Sequence, residues 1–313
     1  MRIIFIGTGE IGLPALHALT KAPEHHVLAV VTQPDRPVGR QLKLASSPIK
    51  EAAFKLHLKI YQPEKIGGAT SVAQLKYLKP DLIVVAAYGQ ILTKEILDLP
   101  KYGCLNIHAS LLPKYRGASP IHAAVAAGEK QSGVTIMWMD EGLDTGDILL
   151  QEAVALRRRE TAESLHDRLA QLGATALLKA IPLVETGNAP RIVQDKDKAT
   201  MTKKLCKEDG HINWDRPQRE IEAHIRAMTH WPSAYAWIPQ ESDHKMLKIF
   251  STIVSRRAKG KPGEVLRVDR HGILVAAKVG GLLLREVQLE GKKRMHAAEF
   301  ARGFNLPPGL VLE

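Results

Sequence analysis

Apolar residues in the first half of the chain come in short, mostly β-branched runs: Arg2–Ile6, Val27–Thr32, Lys59–Tyr61, Leu82–Ala86, Cys104–His108 and Val134–Met139. Amphipathic stretches at helical spacing, such as Leu13–Lys21 and Ser71–Leu78, fall between them. A longer helical pattern over Ala162–Val184 closes the region. This alternation predicts an α/β fold with a mostly parallel sheet covered by helices on both faces. Ligands then bind beyond the carboxyl ends of the strands. The pattern breaks near residue 190. The segment DKDKATMTKKLCKED, Asp195 to Asp209, is polar and charge-rich, has little periodicity, and reads as a linker. After a helical stretch (Arg219–Met228) come short β-like runs at Ala234–Ile238, Leu247–Ser255, Gly263–Val268, Gly272–Ala277 and Leu282–Gln288. Their spacing predicts a small barrel. The expected organisation is an α/β domain over 1–189, a basic linker over 190–207 and a barrel domain over 208–313.

Charge adds a partner to this picture. The 313 residues carry a net charge of +11, which suggests a polyanionic partner, most often nucleic acid. The excess is uneven: residues 1–189 hold 21 Lys and Arg against 18 Asp and Glu, and residues 190–313 hold 23 against 15. The densest clusters are Arg256-Arg257-Ala258-Lys259-Gly260-Lys261 and Lys292-Lys293-Arg294. Either alone fits a solvated surface run; together with the basic linker they favour phosphate contact. The two cysteines, Cys104 and Cys206, lie far apart and suggest neither a zinc site nor a disulfide framework, so a reducing compartment is expected. No stretch approaches a membrane span, and the first strand starts at residue 2, leaving no room for a leader; the expectation is a cytoplasmic protein.

The chemistry concentrates in Gly103–Ile148. Asn106 and His108 end a predicted strand two residues apart, so both point to one face. A loop with proline and glycine follows, and Asp144 sits in a second turn-rich loop, MDEGLDTGD. An amide donor, an imidazole and a carboxylate converging on one loop face suggest acyl-type transfer. Asn106 could donate to an oxyanion, and His108 could do the same or shuttle a proton. A carboxylate beside an imidazole favours its charged form, a role open to Asp144. The bland reading of the same residues is a turn cap, a core histidine and a loop cap.

Longer motifs decide between these readings. The chain has Asn106-Ile107-His108, then Ser110-Leu111-Leu112-Pro113, then Asp140-Glu141-Gly142-Leu143-Asp144-Thr145-Gly146. It thereby resembles the formyltetrahydrofolate-dependent transferases, which share N-x-H, S-L-L-P and D-x-G-x-D-T-G. Lys114-Tyr115-Arg116-Gly117-Ala118-Ser119-Pro120-Ile121, Gln33-Pro34-Asp35-Arg36-Pro37 with Gly39-Arg40, and Ala87-Tyr88-Gly89-Gln90-Ile91-Leu92 are similar to the branch whose formyl acceptor is methionyl-tRNA. So are Trp214, Trp231-Pro232 and Pro262-Gly263-Glu264-Val265, so the resemblance covers essentially the whole chain. Glycinamide ribonucleotide formyltransferases are similar over the first domain only.

The resemblance implies 10-formyltetrahydrofolate as donor, lying along Ser110, Leu111, Leu112 and Pro113 and the strand end with Tyr88, Gly89 and Gln90. It implies attack by the α-amine of initiator methionyl-tRNA, in support of bacterial-type translation initiation. Asn106 and His108 would stabilise the oxyanion, and Asp144 would keep His108 protonated. Arg40, with Lys43 nearby, would meet the acceptor stem. The barrel would be OB-like and hold the tRNA body, with Lys203, Lys204, Lys207, Arg256 and Arg257 as phosphate contacts. No metal site, membrane contact or obligate protein partner is expected, and a monomer is.

One motif points elsewhere. Gly7-Thr8-Gly9-Glu10-Ile11-Gly12 matches the dinucleotide fingerprint G-x-G-x-x-G. A nicotinamide site also wants an acid at the end of the second strand, which here reads Val30-Val31-Thr32-Gln33. Asp35 comes later, in a loop that the resemblance assigns to tRNA contact. The glycines are therefore expected to make a strand-to-helix turn in a Rossmann-like sheet, with no NAD. The family usually reads G-T-P here, so Gly9 is a departure, as is Thr93 where proline is usual. The rivals are a sugar-nucleotide formyltransferase, a non-enzymatic nucleic-acid binder on the same scaffold, and a dinucleotide oxidoreductase.

Overall fold

The first apolar run becomes β1 (Arg2–Gly7), an interior strand of a seven-stranded sheet, with Ile3 to Ile6 fully buried. The computed structural model describes residues 1–38, 43–240 and 244–313, and the side chains of Val38 and Lys43 are not among what it describes. In chain order come α1 (Leu13–Lys21), β2 (His26–Val31), the ribbon strands β3 (Arg36–Val38) and β4 (Lys43–Ala45), α2 (Pro48–Lys55), β5 (Ile60–Tyr61), α3 (Ala69–Tyr77), β6 (Leu82–Ala86), α4 (Lys94–Leu97), β7 (Cys104–His108) and the short β8 (Arg116–Gly117). There follow α5 (Pro120–Ala126), β9 (Gln131–Trp138), β10 (Ile148–Ala155), α6 (Ala162–Glu185) and β11 (Met201–Thr202). The later part holds α7 (Gln218–Ala227), β12 (Tyr235–Ile238), β13 (Lys245–Ser255), β14 (Val265–Asp269), β15 (Gly272–Ala276), β16 (Gly281–Leu289), β17 (Met295–His296) and α8 (Ala297–Gly303).

These elements form two compact units. The first is Met1–Pro120, Gln131–Ala155 and His166–Lys203; the second is Ile121–Lys130, Leu156–Leu165 and Lys204–Glu313. The sheet of the first runs β10-β9-β7-β6-β1-β2-β5. Neighbours from β5 to β7 are parallel, whereas β9 and β10 are antiparallel. Every residue of β6 is buried, as expected of a central parallel strand. The edge strand β10 alternates instead, and Gln151, Glu152 and two alanines leave it without the apolar run that marks the other strands.

The fingerprint glycines serve packing. A Cβ on Gly7 would stand 2.9 Å from the Ala86 carbonyl, so only glycine lets β1 and β6 end side by side. Gly9 and Gly12 have φ of −78° and −81°, ordinary for any residue. At the tip of β2, Thr32 is buried and shares a hydrogen bond with Ser47. Asp35, expected in a tRNA-contacting loop, is bound at 2.6 Å by Lys50 Nζ and at 2.9 Å by Gln62 Nε2; the Lys50 hydrogen bond holds its carboxyl below the usual range.

In the second unit the antiparallel order β12-β13-β16-β15-β14, with β17 on β16, gives the expected OB-like sheet. Residues 309–313 reach both of its edges. The Glu313 and Trp237 backbones exchange hydrogen bonds of 2.7 and 2.9 Å on β12. On the other edge Val265 N–H donates to the Leu310 carbonyl at 2.7 Å, Gly309 N–H to that of Val265 at 2.8 Å, and Leu312 N–H to that of Gly263 at 2.8 Å.

Helix α7 carries a half-buried histidine, His224, whose Nε2 is sealed from solvent. His224 Nε2 has no partner among the described residues, and burial pushes its pKa down, against smaller upward pulls from the Gly210 backbone and Asp209. A histidine with a lowered folded pKa stabilises fully above its unfolded value, about 6.5, and loses that contribution as pH falls toward the folded value. Stability measured by urea unfolding should therefore drop between pH 7.5 and 5, and His224→Gln should drop less. Identical pH slopes for both proteins would show that His224 is not the group responsible.

Candidate active site

Strands β6 and β7 end at the same edge of the sheet, and the loops beyond them build the site. Asn106 and His108 share a face of β7, the first half-buried and the second buried, held in register by Met137 and Thr135 of β9. Asp144 lies in the loop between β9 and β10 at φ +54°, a left-handed conformation costing a non-glycine residue on the order of 1–3 kcal/mol. Asp140 shapes that loop by accepting from Thr145 Oγ1 at 2.7 Å and Gly142 N–H at 3.1 Å.

The three residues meet. Asp144 Oδ1 accepts from Asn106 Nδ2 at 3.3 Å, and Oδ2 accepts from Gly117 N–H at 2.8 Å and lies 3.6 Å from His108 Nδ1. The other ring nitrogen of His108 is 3.0 Å from the Tyr115 carbonyl. Both imidazole nitrogens thus face oxygen acceptors, and Asn106 has a second N–H beyond the one spent on Asp144. Gly117 itself has φ +102°, and a Cβ there would fall 2.3 Å from the Thr202 carbonyl.

The Ser110–Pro113 loop divides in two. Ser110 and Leu112 are turned inward: Ser110 Oγ donates to the Lys114 carbonyl at 2.6 Å, and Leu112 packs with Met137 and Ile148. Leu111 and Pro113 remain half-exposed and are the side chains able to line a ligand surface. Thr135 Oγ1 donates to the Ser110 carbonyl at 2.7 Å and accepts from Leu112 N–H at 3.1 Å, and Gln151 Nε2 donates to the Leu112 carbonyl at 2.8 Å. Sequence reading missed both supports, Gln151 because β10 was missed and Thr135 because it is one more polar residue in a buried strand.

At the end of β6 the outcome is mixed. Gly89 is exposed and Gln90 half-exposed. The Gln90 amide is spent on Ile66 N–H, the Glu64 carbonyl and Gln33. The Tyr88 ring turns inward: it is 3 % exposed and belongs to the core with Ile4, Ile6 and Ile83, and burial pushes its phenol up to about 12. What this turn can offer a ligand is backbone at Ala87 and Gly89.

The segment expected as a linker is woven into the site as far as Lys203. Strand β11 pairs with β8, and Thr200 holds the Tyr115 and Arg116 backbone N–H groups, each at 2.8 Å. Gln194 is buried and accepts from Arg116 Nε and Nη2 at 3.0 and 2.8 Å.

Of the expected phosphate contacts, Arg40 lies outside the described residues, as does the side chain of Lys43. Lys203, Lys204, Lys207, Arg256 and Arg257 are exposed. A further basic run went unread: Arg157, Arg158 and Arg159 are all exposed, on a turn pinned by buried Glu160, whose Oε2 accepts from Arg157 N–H at 2.8 Å. Among the described residues no cluster of His, Cys, Asp and Glu forms a metal centre, and no helix is long and apolar enough to cross a membrane.

With this fold and this trio in place, comparison with known proteins assigns the class. The chain belongs to the formyl transferase family: residues 1–181 match the formyl transferase domain and residues 204–305 the formyl transferase C-terminal domain. It is 54 % identical over 313 residues to the methionyl-tRNA formyltransferase of Methylacidiphilum infernorum, covering 100 % of this chain and 98 % of that one. It is 48 % identical over 314 residues to the methionyl-tRNA formyltransferase of Pelotomaculum thermopropionicum, again covering 100 % and 98 %. Among solved structures, the N-formyltransferase from Helicobacter canadensis, in complex with folinic acid and dTDP-3-aminofucose, has the same fold, with a TM-score of 0.67 at 19 % identity over 91 % of this chain and 99 % of that one.

Proposed function

We propose that this chain transfers the formyl group of 10-formyltetrahydrofolate to the α-amine of initiator methionyl-tRNA, serving bacterial-type translation initiation. The observation that carries the reading is the convergence of Asn106, His108 and Asp144 on one loop face, in a chain similar over its full length to methionyl-tRNA formyltransferases. The formyl carbonyl lies against Asn106, beside Leu111, Pro113 and the Ala87–Gly89 backbone. The amine nitrogen adds to the formyl carbon, and the carbonyl oxygen takes the negative charge. Asn106 donates to that oxygen through its second N–H, and His108 joins it and relays a proton once Nε2 leaves the Tyr115 carbonyl. The proton leaving the attacking nitrogen passes to the folate nitrogen as its bond to carbon breaks. Asp144 is the counter-charge for the protonated imidazole. Arg40, Lys43, Lys203, Lys204, Lys207, Arg256 and Arg257 contact tRNA phosphates, and Arg157 to Arg159 suit the same role.

The deciding experiment is formyl transfer from 10-formyltetrahydrofolate to methionyl-tRNA, run in parallel on initiator and elongator tRNA. Transfer to the initiator alone is expected. Transfer only to an amino sugar nucleotide would replace the acceptor while keeping the donor chemistry.

A further inference from the structure

Gln194 has no chemistry of its own, yet all its hydrogen-bonding capacity is spent beneath Asp144. It is 4 % exposed. Its Nε2 donates to the Asp144 carbonyl at 2.9 Å and to the Gly146 carbonyl at 2.7 Å, while Oε1 takes both bonds from Arg116. Arg116 is itself buried, and its backbone is fixed on both sides, N–H to the Thr200 carbonyl at 2.8 Å and carbonyl from Thr202 Oγ1 at 3.0 Å. The next residue, Gly117, supplies the N–H on Asp144 Oδ2. One amide therefore ties the loop that carries the carboxylate to the loop that supplies its donor. The tie also fixes the backbone of Asp144 at φ +54°, a left-handed conformation that aspartate tolerates better than most residues.

We propose that Gln194 is a positioning residue for formyl transfer: through the Asp144–Gly146 backbone and Arg116 it holds the Asp144 carboxylate on Asn106 and His108. The inference rests on the role given above to Asp144. Gln194→Glu separates the two halves of the tie. It keeps the length and the acceptors for Arg116, but turns an anionic oxygen toward two carbonyls that require a donor. Gln194→Met removes both halves at nearly constant shape.

The test uses the full chain, with wild type, Gln194→Glu, Gln194→Met, Asp144→Asn and the Asp144→Asn/Gln194→Glu pair. For both single Gln194 variants kcat should fall by on the order of 100-fold, the scale of a misplaced group, with KM for donor and acceptor unchanged. In the Asp144→Asn background Gln194→Glu should add little, since the two act as one unit. A crystal structure of Gln194→Met should show the Asp144 carboxylate withdrawn from Asn106 Nδ2. Full additivity, a loss confined to KM, or an unmoved carboxylate would each overturn the proposal. The crystal structure decides it without turnover, and wild type without formyl transfer would instead strike the reading of the reaction.

Discussion

Asp144→Asn should lower single-turnover formyl transfer by on the order of 10²–10⁴, the span covered by losing one oxyanion donor or one imidazole-orienting carboxylate. The substitution keeps the size of the side chain but removes its charge and replaces an acceptor by a donor. Oδ2 holds two neighbours, Gly117 N–H and His108 Nδ1, and Oδ1 holds Asn106 Nδ2. An amide cannot accept from all three, so either Asn106 or His108 loses its anchor. The loop itself should persist, because Asp140 and Gln194 bind its backbone. Filter binding of methionyl-tRNA should therefore match wild type. Parallel loss of RNA affinity would make Asp144 a structural residue and remove it from the mechanism.

The second large effect is on stability. Leu312 is 1 % exposed, within the five residues that bridge β12 and β14. Leu312→Ala should cost about 2–5 kcal/mol, the range for truncating a buried leucine. The loss should appear in the second unit, which holds Trp214, Trp231 and Trp237, with Trp237 bonded directly to Glu313. Tryptophan fluorescence in urea is the suitable probe, and Leu312→Met, which nearly conserves volume, should restore most of the midpoint. An unshifted tryptophan transition in Leu312→Ala would mean that the sheet edges hold without this segment.

What the sequence disclosed follows from which signals are local. Arg2–Ile6 and Leu82–Ala86 are apolar on both faces, so they read as buried strands without any knowledge of their neighbours. Asn106 and His108 were legible because period-2 geometry fixes their common face, and Asp144 because its loop matches a long motif. The inward turn of the Tyr88 ring was not legible, because a motif reports which residues recur, not which way a ring points. The segment 190–203 was misread for a deeper reason. Its bonds are side chain to distant backbone, as from Gln194 to Asp144 and from Thr200 to Tyr115, and such bonds leave no period in the sequence. Only Gln194 is buried there, and the exposed residues around it give the segment the composition of a solvated connector.

The interlaced path of the chain bears on how this protein comes to exist at all. The polypeptide changes unit after residues 120, 130, 155, 165 and 203. During synthesis Ile121–Lys130 and Leu156–Leu165 emerge well before the Lys204–Glu313 stretch against which they come to pack. A fragment ending at residue 203 would leave Ile121–Lys130 and Leu156–Leu165 without the contacts they make to Lys204–Glu313 in the whole chain.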